Sequence, residues 1–390
     1  MSALRKFLDK IKPSFQEGGK LHAFRSVFDG FETFMFVPNE TAKAKGAHIH
    51  DAIDSKRIMT FVIIALTPAM LFGMYNVGYF HAIANNEDPT FWGSFLYGLA
   101  AVLPKIVVSY LVGLGIEFTV AQWKNEEIHE GFLVSGFIIP MIVPINCPLW
   151  IIAVATAFAV IFAKEIFGGT GMNIFNVALV TRAFLFFSYP STMSGDKVWV
   201  NQNYMDCITG VSGNVDAYTA ATPLGELGAN APVSYSFMDT VTGLIPGSIG
   251  ETSVIAIALG ACLLIWTGVA GWKTMLSIFV GGTLMALICR YDNPQNFEWY
   301  EHLTVGGFCF GAVFMATDPV TSARTECGKW IYGFLIGVIA ILIRVLNPGY
   351  PEGMMLAILL MNVFAPLIDY CVVQSNINKR AKRAVKVKED

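Results

Sequence analysis

From Ile58 onward the chain is built of long apolar runs separated by short polar breaks, a pattern too continuous for one-faced helices or alternating strands. About 20 apolar residues are needed to cross a bilayer as a helix. Ten stretches qualify as candidate spans: Ile58–Phe80, Phe91–Trp123, Gly131–Ile145, Leu149–Phe167, Ile174–Tyr189, Ser253–Val269, Trp272–Cys289, Leu303–Thr317, Trp330–Leu346 and Met354–Val373. The third, fifth and eighth are short and read as broken or tilted helices. The pattern predicts an all-α polytopic membrane protein of about ten transmembrane helices. It divides the chain into an N-terminal arm (1–57), a first membrane half (58–189), a long polar interval (190–252), a second membrane half (253–373) and a tail (374–390).

The arm begins with Leu4, Phe7, Leu8 and Ile11 on one helical face among Arg5, Lys6 and Lys10. That is a short basic amphipathic helix, suited to a membrane surface or to docking on a neighbouring subunit. Ten Lys/Arg precede Ile58, six follow Ile377, and ten serve everything between. Basic residues stay on the cytoplasmic side, which places both termini inside. Alternation then puts Lys124, Lys164, Lys273, Arg324 and Lys329 inside and the interval Pro190–Thr252 outside, where Lys197 faces six acidic residues. Arg290 and Arg344 are the exceptions.

Composition supports this reading: 54% of residues are hydrophobic and 14% charged, against about 25% charged in soluble proteins. No N-terminal apolar run resembles a signal peptide, so insertion through the first span is expected. The seven cysteines form no C-x-x-C pair and predict neither a disulfide framework nor a metal site.

The two halves also look alike. GGTGMNIFNVALVTRAFL from Gly168 and NPGYPEGMMLAILLMNVFAP from Asn347 are both Gly-rich loops opening an apolar helix that contains an Asn. EGFLVSGFIIPMIVP and GGFCFGAVFMATDP precede them in matching places. Five spans per half is an odd number, so the halves have opposite orientation. Such inverted repeats place ligand sites at the repeat interface.

Charges inside apolar runs are expensive and mark function by default. Lys105, Glu117, Lys164, Glu165 and Arg182 are of this kind, although Lys164 and Glu165 also suit snorkelling at a helix end. In the polar interval, VDAYTAATPLGEL contains Thr222-Pro223, which locally reads as an ordinary helix start with a Thr cap and Pro in the first turn. The loop Phe167–Asn173 lacks the Lys-Ser/Thr of a nucleotide P-loop and reads as a tight turn or a phosphate cradle.

Asp216-Ala217-Tyr218-Thr219-Ala220-Ala221-Thr222 resembles D-x-x-[ST]-G-A-T, a flavinylation motif, with Ala220 in place of Gly. HIHDAIDSKRIM, FGMYNVG, AKEIFGGTGMNIFN, RAFLFFSYP, IPGSIGE, FMATDPVTSA, IRVLNPGYPEGMMLAIL and NVFAPLID carry the resemblance through almost the whole chain. Together they resemble the B-type membrane subunit of the sodium-translocating NADH:quinone oxidoreductase, in the NqrB/RnfD family. The 57-residue basic arm favours that type over its shorter Rnf relative.

The resemblance implies a urea-transporter-like fold of two inverted five-helix repeats in the bacterial inner membrane. It implies FMN joined by a phosphoester to Thr222, with Asp216 and Thr219 completing the motif, and a non-covalent riboflavin lined by Asn173 and Asn176 beside Gly169. The Gly349–Gly353 loop is expected to supply the opposite wall. It further implies quinone binding near Gly113 and Glu117, where Leu114 replaces a second Gly. Asp29, Asp318 and Asp369 become candidates for the sodium route, although carboxylates at helix ends also serve as caps. Expected partners are the other five subunits (A, C, D, E and F), ubiquinone or menaquinone, and a flavin transferase for maturation. No nucleic-acid partner, catalytic side chain or metal ligand set is expected. Two other readings stay open: an Rnf-type ferredoxin:NAD oxidoreductase component, and a solute channel or transporter on the same scaffold.

Overall fold

The computed structural model describes residues 3–15, 19, 21, 24–36, 55–124, 131–210, 220–228, 234–292, 298–347 and 352–389. Their regular elements are all helices, with no strand among the described residues. In chain order the principal helices are α1 (Ala3–Ile11), α2 (Arg25–Met35), α3 (Ser55–Ala84), α4 (Phe91–Lys124), α5 (Phe132–Met141), α6 (Leu149–Ala159) and α7 (Val177–Ser188). There follow α8 (Pro223–Gly228), α9 (Val254–Trp266), α10 (Trp272–Asp292), α11 (Glu326–Leu346) and α12 (Met354–Glu389).

Among the described residues, six helical stretches are long and apolar enough to cross a membrane: Lys56–Ala84, Phe91–Lys124, Leu149–Phe167, Trp272–Tyr291, Glu326–Leu346 and Met354–Arg383. α5, α7 and α9 are apolar but shorter. The eighth expected span is broken: Phe308–Phe310 runs into a π-turn at Gly311–Met315, preceded by the separate short helix Trp299–Thr304. A second π-turn, Val160–Lys164, prolongs α6. Single π-turns inside helices are often found where a site is built. α12 continues without a break from its apolar part through the basic tail to Glu389, because nothing after Asp369 ends a helix.

Close approach at small residues holds the helices together, as expected where lipid removes a hydrophobic drive between them. A methyl group on Gly98 of α4 would collide with the Met74 carbonyl of α3, and one on Gly337 of α11 would collide with the Ile278 carbonyl of α10. A single continuous core runs through both halves, from Ala65, Leu66 and Ala101 to Phe310, Tyr332 and Ile358. Large apolar side chains also face outward from the long helices, among them Leu111 (69% exposed), Leu259 (60%) and Leu367 (55%). That is a lipid-facing exterior rather than a water-facing one.

Candidate functional site

Two cavities lie at opposite ends of α7 and α9. The first, of about 130 Å³, is bounded by the C-terminal part of α7, the Ile245–Thr252 turn before α9, and α8. Thr222 lines it. Its Oγ1 accepts a hydrogen bond from the Gly225 N–H at 3.0 Å, so the local helix-start reading of Thr222-Pro223 holds. Capping occupies the oxygen only as an acceptor, and the hydroxyl still faces a cavity. Asp216 and Thr219 lie outside the described residues. Ala220 packs its methyl with Phe80, Ala84 and Val200, and its N–H donates to the Asp196 carbonyl at 3.1 Å. The substitution of Ala for the motif's Gly therefore fills a small apolar cluster.

At the floor of this cavity stands Arg182, fixed between two carboxylates. Nη1 donates to Glu251 Oε1 at 2.7 Å and Nη2 donates to Glu352 Oε2. Arg182 is 4% exposed, a charge that an apolar helix tolerates only when paired. Glu352 Oε1 accepts from the Gly307 N–H at 2.7 Å. Burial pushes the Glu251 carboxyl above the usual range; the Arg182 guanidinium opposes that and the nearby Glu352 charge adds to it. The Thr252 hydroxyl in the same wall is buried without a partner among the described residues.

The second cavity, of about 80 Å³, is lined by Asn173, Asn176, Lys164, Thr170, Phe314 and Asp318, with Ile58 and Met59 of α3. Asn176 caps α7: Oδ1 accepts from the N–H groups of Ala178 (3.0 Å) and Leu179 (3.4 Å), and Nδ2 donates to Asp318 Oδ2 at 3.2 Å. Its amide is thus already in use. Asn173 makes a local bond, Nδ2 to the Phe175 carbonyl at 3.1 Å. Gly169 does not line the cavity. It holds φ +91 in a turn with Gly168 and Gly171, which is its reason to be glycine. Of the Gly349–Gly353 loop, 349–351 lie outside the described residues.

Asp318 accepts from the Val320 N–H (3.0 Å) and the Thr321 hydroxyl (3.1 Å) as well as from Asn176, and burial raises its carboxyl above the usual range. Asp369 lies off both cavities. It accepts from the Arg324 N–H (2.8 Å), the Thr325 N–H (3.0 Å) and the Thr325 hydroxyl (2.6 Å), tying α12 to the start of α11. Asp29 falls on α2, and its side chain is outside the described residues. Gly113 and Glu117 share one face of α4. A methyl at Gly113 would run into the Phe132 ring, so this glycine lets α5 cross. Glu117 pairs with Lys164 in a buried ion pair, and Lys164 lines the second cavity. Glu117 thus joins the residues at Asn173 through one partner, while Gly113 does not line either cavity.

A model of the NQR2, RnfD, RnfE family matches residues 42–378. The chain belongs to this family. Its relatives include the B subunit of the Na(+)-translocating NADH-quinone reductase of Chromohalobacter salexigens, 42% identical over 97% of this chain and 96% of the relative. The protein of the same name from Neisseria meningitidis serogroup A is 39% identical over 98% and 99%, and that of Pseudomonas aeruginosa PAO1 is 38% identical over 97% and 99%.

With six long apolar helices among its described residues, this member of the NQR2, RnfD, RnfE family is a multi-pass membrane protein. Sequence reasoning marks Arg182 as an intramembrane charge but leaves its partners unnamed. Glu251 is one acid among six in a polar interval, and Glu352 is inconspicuous beside its glycines. The available signal is charge balance: a guanidinium in an apolar helix needs a carboxylate, but nothing in the order of residues says which. Lys105 is similar. It is fully buried and donates to the Cys147 and Cys207 carbonyls at 2.5 and 3.0 Å, tying α4 to two connecting segments.

Proposed function

We propose that this chain is the B-type membrane component of a redox-driven sodium pump, a Na+-translocating NADH:quinone reductase. It carries electrons from a covalently bound FMN through riboflavin to ubiquinone or menaquinone, coupled to sodium translocation. Thr222 is the phosphoester acceptor, with Asp216 and Thr219 completing its motif. Asn173, with Asn176 and Gly169 behind it, belongs to the riboflavin site. Gly113 and Glu117 belong to the quinone region, and Asp318, with Asp29 and Asp369, to the ion route. The flavins supply one- and two-electron chemistry. The chain's residues supply the attachment oxygen, the polar cavity walls and the fixed charges.

The observation that carries the reading is the placement of Thr222 and Asn176 on two cavities bounded by one helix. Arg182 on the Thr222 cavity and Asn176 on the other are six residues apart on α7, about 9 Å of helix rise. Thr222 and its cavity would hold one redox group and the Asn173–Asn176 cavity the other, at opposite ends of the same helix.

The same reading takes the ten spans as two inverted five-helix repeats of urea-transporter type. It places both termini in the cytoplasm, the chain in the bacterial inner membrane, and the 190–252 interval outside. The other five subunits (A, C, D, E and F) complete the complex, and a flavin transferase matures it. The test is direct. A denatured band fluorescing under ultraviolet light, with FMN found by mass spectrometry on the Thr222 peptide, is expected. A colourless band, or FMN on Thr219, overturns the assignment.

A further inference from the structure

The segment bearing Thr222 does not hang freely over the membrane part. Leu224, two residues on, is 6% exposed and pairs with Val305 (2%) in a small apolar cluster separate from the main core. Beneath that contact is the turn Val305–Gly307. Gly306 has φ +68, and a methyl there would lie 3.2 Å from Leu224 Cδ2, 3.4 Å from Arg344 Nη2 and 3.6 Å from Glu352 Oε1. The turn is thus sandwiched between the Thr222 segment above and an ionic layer below.

Backbone groups on both sides of the turn meet that layer. The Gly307 N–H donates to Glu352 Oε1 at 2.7 Å, and the Val305 carbonyl accepts from Arg344 Nη2 at 3.2 Å. Arg344 also donates to the His302 carbonyl at 2.6 Å. Glu352 is held in turn by Arg182, and Arg182 by Glu251. A methyl on Gly307 would fall 2.5 Å from Glu352 Oε1 and 2.7 Å from Glu251 Oε1, so the carboxylates close directly onto the turn. A half-buried carboxylate and a buried guanidinium bonded on several sides have one geometry available, which suits a rigid seat.

We propose that Glu352, with Arg182 and Arg344, is a positioning residue for the Thr222 flavin: it holds the Val305–Gly307 turn as the seat on which Leu224 docks, and so fixes where the attachment oxygen stands. This rests on the reading of Thr222 as the flavin site. Loosening the seat lets the turn lift away while leaving the acceptor hydroxyl intact.

The experiment uses the assembled complex carrying Ala221→Cys, with labelling by a membrane-impermeant maleimide as the first readout. Glu352→Gln and Leu224→Ala are each added, and Glu352→Asp serves as the conservative rescue. Labelling of the cysteine at position 221 is expected to be at least ten-fold faster in Glu352→Gln and Leu224→Ala, and near the parent rate in Glu352→Asp. The second readout is the steady-state fluorescence anisotropy of the attached FMN, taken on the same variants without Ala221→Cys because Ala221 belongs to the attachment motif. It is expected to fall in the first two variants with FMN content on Thr222 unchanged. Leu224→Ala touches no buried charge, so it answers even if Glu352→Gln fails to assemble. Unchanged labelling and anisotropy in Leu224→Ala, or in an assembled Glu352→Gln, overturn the seat. Absence of FMN from Thr222 in the complex without Ala221→Cys instead overturns the underlying flavin reading, while the labelling rates still decide the seat.

Discussion

At the scale of single residues, the Thr222 oxygen that caps α8 is also the one proposed to accept the flavin phosphate, so a single substitution removes both. Thr222→Val keeps the shape, removes the oxygen and costs a cap of about 1 kcal/mol. The expected result is an assembled chain without covalent flavin, read by mass spectrometry of that peptide. Asp318 and Asp369, alike in sequence, differ in surroundings. Both accept three hydrogen bonds, but Asp318 also lines a cavity, whereas Asp369 lies off both cavities and ties α12 to the 324–325 turn. Asp318→Asn is therefore expected to raise the sodium needed for half-maximal quinone reduction with covalent FMN content unchanged; an unmoved sodium curve removes Asp318 from the ion route. Asp369→Asn is expected to show the larger loss of thermal stability. Glu251 gives a pH signature. Burial holds its proton in the folded state to higher pH than in the unfolded chain, where the carboxyl has an ordinary pKa. The folded state then binds more protons across that window, so stability falls as pH rises from the usual carboxylate range. Melting temperatures of the detergent-solubilised protein are expected to show this decline, and Glu251→Gln to flatten it.

Among the helices, α4 offers two glycines two residues apart with opposite surroundings. A methyl at Gly113 meets the buried Phe132 ring, while at Gly115 nothing lies within 4 Å. Gly113→Ala is expected to destabilise the α4–α5 contact by about 1–3 kcal/mol through overpacking. Gly115→Ala is expected to be neutral or stabilising by up to about 1 kcal/mol, from helix propensity alone. Thermal unfolding in detergent separates them, and equal effects would contradict the packing described. The short α5 and α7 fit this picture. Each ends at or opens from an irregular segment beside a cavity, where exposed helix-end groups find side-chain partners such as Asn176.

For the whole molecule, the consequential expectation is sidedness. The Thr222 and Asp318 cavities lie at opposite ends of α7, and the charge pattern puts the first outside. A cysteine in place of exposed Ser191 is expected to react with an impermeant maleimide in cells whose outer membrane alone is permeabilised. Labelling only after lysis would reverse the topology and the flavin route together.

Hydrophobic runs of bilayer length, segregated Lys and Arg, and the motif ending at Thr222 are local properties of the chain, so the all-helical class, the long apolar helices and the candidate attachment residue were legible without coordinates. Family membership was legible for a similar reason, since its motifs are contiguous. What faces what was not. Glu352 and Arg182 are 170 positions apart, Asn176 and Asp318 are 142 apart, and Glu117 and Lys164 are 47 apart. A carboxylate in a helix-end turn reads the same whether it only ties two segments together, as Asp369 does, or also lines a cavity, as Asp318 does. Tertiary packing decides between them, because the low-dielectric interior forces each buried charge to find its partner wherever the fold brings one within reach.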